Sequence, residues 1–241
     1  MKKLNLPDYV KIVAIMTLVN LLILFIRNKI VGDSIFNFLL SNLFSGFLPL
    51  LFAFLIHRFY DKLSNFFFWV GSFLWFLFYP NSPYMISDLI HDSSDPKDAT
   101  LPDLVVFDTL IIFSIALLSI FMGFISLKIM FNIFRERYSK KFAKIALTFT
   151  LILSCLGFYM GRVLKAAAHA GNLYSWDFLL HPMKVFKEVW AAMFPVGEHI
   201  YAYLMMILFG IVQFMLLLMM KDVGDFEADE IVTKKIDKVH N

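Results

Sequence analysis

Asp88 and His91 stand three residues apart in the stretch Tyr79-Pro80-Asn81-Ser82-Pro83-Tyr84-Met85-Ile86-Ser87-Asp88-Leu89-Ile90-His91. On a helix, that spacing puts both side chains on one face. A carboxylate beside an imidazole orients the ring and raises its basicity. Such a pair suits acid–base work or metal ligation. Asp88 and His91 are therefore the candidate catalytic pair; the competing reading is a solvated ion pair in a polar loop. Pro80 and Pro83, with Asn81 and Ser82 between them, break a helix and free backbone groups. At membrane depth those groups must find partners in protein or water. Asn81 is thus a candidate binding residue, against the plainer reading of a helix stop at the outer surface.

Three more residues could bind a substrate. Asp108 lies about one turn inside an apolar run, where desolvating a carboxylate is costly enough to suggest function. It also sits just after Thr100-Leu101-Pro102-Asp103, which resembles a capped helix start, and a carboxylate there favours the positive end of the helix dipole. Arg162 closes another apolar run, after Gly157 and Gly161, whose spacing permits close helix packing. It could clamp an anionic group, pair with Asp88 or Asp108, or snorkel to lipid phosphates. Asp177 follows Ser175-Trp176 and could cap a short helix. Asn42, Gly46 and Pro49 are polar or kinking residues within an apolar run and read mainly as packing elements.

The elements that must position these residues are apolar helices. Of 241 residues, 60% are hydrophobic and 29 are Phe, and mean hydropathy is +0.73. A soluble domain runs nearer 45–50% apolar, so the excess points to lipid as solvent. Six runs approach the roughly 20 residues a span needs: Tyr9–Ile26, Ile35–Ile56, Leu63–Tyr79, Leu104–Leu127, Phe142–Met160 and Ile200–Met220. Residues 1–220 form a single membrane domain and 221–241 a polar tail. The fold class is all-α, a polytopic membrane protein of about six transmembrane helices. A short amphipathic helix on the outer side joins them, because Leu179, Met183, Phe186, Trp190 and Met193 recur on one face with Lys184, Lys187 and Glu188 opposite.

The first run begins like a signal peptide, but Arg27-Asn28-Lys29 closes it without a cleavage pattern, so it reads as an uncleaved span. With the N-terminus inside, inner segments carry 15 Lys and Arg and outer segments 7. That bias puts both termini in the cytoplasm. It also puts Asp88, His91, Asp108, Arg162 and Asp177 on the outer side. The net charge of +3, with no basic stripe beyond the helix flanks, argues against nucleic acid. The single cysteine, Cys155, cannot form an internal disulfide or a cysteine-rich zinc site. No nucleophile elbow, phosphate loop, dinucleotide fingerprint or zinc-protease motif is present, and no standard metal spacing, so neither cofactor nor metal is named.

Asn42-Leu43-Phe44-Ser45-Gly46-Phe47-Leu48-Pro49, the Pro80–His91 stretch, and Gly161-Arg162 with Ser175-Trp176-Asp177 together resemble the bacterial membrane-protein family catalogued as domain of unknown function 1361. The resemblance covers roughly residues 40–185. The family runs quickly from its Gly-Arg pair to Asn-Ser-Trp-Asp, whereas Val163–Tyr174 intervenes here. The resemblance implies a multi-spanning bacterial membrane protein and supplies no activity; with the topology above, the expected location is the bacterial cytoplasmic membrane.

From the residues, the leading expectation is a polar site at the outer face of the membrane, in an enzyme acting on lipid or envelope material. A small-solute or ion carrier and an accessory subunit without chemistry remain alternatives. The expected partners are the bilayer and a lipid or small-molecule ligand.

Overall fold

The structure is a computed structural model, described over residues 6–32, 34–90, 102–160, 180–194 and 200–219. The chain is all-α there. Helix α1 covers Leu6–Val31 and α2 Phe38–Arg58, with a 3-10 turn at Ile35–Asn37 between them. Helix α3 covers Asn65–Phe78, followed by the single turn α4 (Asn81–Tyr84) and a 3-10 segment, Met85–Ile90. Then come α5 (Pro102–Arg137), α6 (Lys140–Tyr159), α7 (Pro182–Met193) and α8 (Ile200–Met219).

Among the described residues, five helices are long and apolar enough to cross a membrane: α1, α2, α5, α6 and α8. Together they make this a multi-pass membrane protein. Helix α3 is shorter, at 14 residues. That gives roughly 21 Å at 1.5 Å per residue, against about 30 Å of hydrocarbon. The chain nevertheless continues along the same neighbours through α4 and the 3-10 segment, about three more turns. Asn65 accepts a bond from Arg137 at one end of α5, Trp75 Nε1 donates to Ser126 Oγ at 3.3 Å, and Asn42 donates to Asp88 near the start of α2. Residues 65–90 therefore form one broken element that runs antiparallel to both α2 and α5.

Helix α5 is the hub. Its apolar window is 72% buried inside the protein, against 22% for α1 and α6 and 17% for α8. The core packs Ile111, Ile112, Ile115, Met122, Met130 and Phe134 of α5 against Leu39, Ala53, Phe68 and Trp75. Helix α8 packs mainly on α6, where Phe209 stacks on Phe158 at 4.1 Å between ring centres. Ser64 and Ser139 start α3 and α6 by accepting bonds from the amides of Phe67 and Phe142, the usual hydroxyl cap.

Helix α7 forms as its apolar periodicity implies, with Pro182 at the start, where a missing N–H costs nothing. Val189 packs on Met160, just past the end of α6. Met183, Phe186 and Trp190 remain 67%, 60% and 58% exposed.

Candidate functional site

The two prolines do break the helix, and the freed groups are satisfied inside the protein. The Ser82 amide donates to the Tyr79 carbonyl at 3.1 Å, and the Tyr84 amide to the Pro80 carbonyl at 3.1 Å. Asn81 Nδ2 donates to the Phe78 carbonyl at 3.1 Å. Ser87 Oγ donates to the Tyr84 carbonyl at 2.6 Å. Ser82 is wholly buried, and its hydroxyl donates across the bundle to the Gly46 carbonyl of α2 at 2.7 Å. This is how non-helical backbone survives away from water.

Glycines make the room for it. A Cβ on Gly123 of α5 would come 2.7 Å from the Ser82 Cβ, and one on Gly157 of α6 would come 2.8 Å from the Pro80 Cβ. Both distances are well inside van der Waals contact. The two neighbouring helices can approach the break only because they carry no side chain there.

Asp88 ends up 1% exposed. Asn42 Nδ2 of α2 donates to its Oδ2 at 2.8 Å. The sequence singled out Asn42 mainly as a packing residue; the structure makes it the donor that holds Asp88.

Asp108 is also wholly buried, and its partner is Arg27 of α1, 81 residues away. Arg27 Nε reaches Oδ1 at 3.0 Å and an Nη reaches Oδ2 at 2.9 Å. This is the two-pronged arrangement that makes Arg–carboxylate pairs strong. Both side chains are 0% exposed, and the guanidinium lies 4.7 Å from the centre of the Phe36 ring, a favourable cation–π distance. Sequence reasoning missed this partner because Arg27 looked like the flank ending the first span. Helix α1 instead runs on to Val31, which leaves Arg27 about one turn inside. The available signal was the carboxylate itself: a buried Asp108 requires a cation.

Asn81, Asp88 and Asp108 are thus described. Asn81 and Asp88 lie on the broken element, Asp108 on α5 beside Arg27. His91, Arg162 and Asp177 lie outside the described residues. Among the described residues, no three His, Cys, Asp or Glu side chains converge as a metal site would need.

No curated protein and no solved structure matches the chain. A family pattern matches residues 41–216. That stretch takes in Asn42, the glycine-lined break, Asp88, Asp108 and the helices that hold them, and on it the chain belongs to the family of proteins of unknown function DUF1361.

Proposed function

We propose that this is a bacterial cytoplasmic membrane protein with both termini inside, and that its outer ends form a polar site acting on a lipid or envelope substrate. The observation that carries the reading is Asp88, a buried carboxylate held by Asn42 at the end of an element broken within the bundle. Ionisable groups in such places are costly and are kept mainly where function uses them. Asp88 and His91 would supply the acid–base chemistry, with Asn81, Arg162 and Asp177 as substrate contacts. Asp108 would act through Arg27, whose guanidinium it holds. The Lys and Arg bias along the sequence supports the orientation, as does counting residues 65–90 as a sixth crossing.

The test uses purified protein in vesicles of phosphatidylethanolamine and phosphatidylglycerol, with the lipids followed by mass spectrometry. Wild type converts a lipid species, or retains one through purification, and Asp88→Asn loses that behaviour. Identical lipid profiles for the two proteins would end the proposal. A reporter fused after Asp95 checks the orientation independently: its activity should appear only on the outer side.

A carrier for a small solute or ion is the second reading. The broken element favours it, since carriers place binding sites at discontinuous helices. Uptake into the same vesicles, lost in Asp88→Asn, would favour it over lipid chemistry.

A further inference from the structure

A second polar feature lies at the break itself, away from Asp88. A small cleft is lined by Tyr79 and Pro83 of the broken element, Ile120, Gly123 and Phe124 of α5, and Gln213 of α8. Gly123 is 15 residues beyond Asp108 on the same helix, roughly 22 Å along its axis, so the cleft lies well within the length of α5, far from the Arg27–Asp108 pair. Its walls are mostly apolar, with two polar residues, Tyr79 and Gln213, in the lining.

Tyr79 is 4% exposed, and its hydroxyl makes no hydrogen bond among the described residues. A buried phenol normally finds a partner. Gln213 is 5% exposed. Its Oε1 accepts from Ser154 Oγ at 2.7 Å, and its Nε2 donates to the Cys155 sulfur at 3.4 Å. An amide nitrogen carries two N–H groups, so one remains available. The cleft has about 20 Å³ of open space, enough for a single water.

We infer that this cleft is an intramembrane water site, in which one water bridges the Tyr79 hydroxyl and the Gln213 amide. The water completes a polar chain from the broken element through Gln213 to Ser154 and Cys155 of α6. It gives both polar groups the partner that burial otherwise denies them. It also ties α8, which rests mainly on α6, to the broken element.

Cys155 is the chain's one cysteine and sits in hydrogen-bond contact with Gln213, so its thiol reports on the cleft. Its S–H donates to the Leu151 carbonyl at 3.3 Å, and the S–H stretch falls in an infrared window clear of other protein bands. Full-length protein in lipid vesicles is transferred to heavy water, and conversion of S–H to S–D is timed for wild type and Tyr79→Phe. Wild type should exchange readily. Tyr79→Phe, which removes one of the water's partners and leaves those of Cys155 intact, should slow exchange roughly tenfold, about the worth of one ordinary hydrogen bond. Circular dichroism verifies that the variant keeps its helices. Persistence of the S–H band in wild type overturns the inference whatever the variant does, and so does an equal rate in a folded Tyr79→Phe.

Discussion

Removing one member of the Arg27–Asp108 pair should be far more damaging than removing both. The two side chains are wholly buried and joined by bonds of 2.9 and 3.0 Å. Deleting one leaves the other charge buried without its counter-ion, a loss of about 3–5 kcal/mol. Deleting both removes the uncompensated charge, and apolar replacements of similar bulk are often neutral. Arg27→Leu and Asp108→Leu should therefore each destabilise by about 3–5 kcal/mol, while Arg27→Leu/Asp108→Leu should lie within about 1–2 kcal/mol of wild type. The magnitude separates charge from geometry, because neutral hydrogen bonds between membrane helices average only about 0.6 kcal/mol. The assay is reversible denaturation of purified full-length protein in mixed micelles, followed by circular dichroism. Single variants within about 1 kcal/mol of wild type would refute the account. So would a double variant whose loss equals the two single losses added together.

Other consequences are accessible to simpler measurements. Asn42→Leu removes the donor at 2.8 Å from Asp88 and should cost about 1–3 kcal/mol in the same assay; Asn42→Gln, which keeps an amide, should recover part of it. Gly123→Ala places a methyl 2.7 Å from the Ser82 Cβ and should destabilise by about 1–3 kcal/mol, whereas Gly32→Ala meets no atom within 4 Å and should register only the strain of its positive φ. The exposed face of α7 should lie in the membrane interface: in a variant keeping Trp190 as the sole tryptophan, lipids brominated near the head group should quench its fluorescence more than lipids brominated near the chain ends.

The helical class and the five long apolar helices were legible because apolar runs of this length have few other solutions. The break was legible too, since two prolines three apart cannot sit in an unbroken helix. What escaped was pairing. Asp108 announced a need for a cation, yet nothing local distinguished Arg27 from Lys29 as an interface flank, and the end of α1 decides which residue is inside. Arg162 was weighed as a partner for Asp88 or Asp108; in the structure Arg27 takes Asp108. Asn42 was visible as a polar residue in an apolar helix, but its bond to Asp88 spans 46 residues. The glycines that admit the break are likewise contributed by α5 and α6, which only the assembled bundle brings to Pro80 and Ser82.

The central position of α5 has a consequence for how bilayer thickness is felt. At 36 residues this helix is roughly 54 Å long, well beyond the hydrocarbon, and most of its apolar surface touches protein. Thicker or thinner lipid therefore acts chiefly on the peripheral helices α1, α6 and α8, which adjust by tilting at modest cost. Of these, α1 grips the hub through a charged clasp near the start of α5, Arg27 to Asp108. A change in membrane composition would reach the start of α5 as a pull on Arg27, transmitted by a helix whose apolar window is only 22% buried.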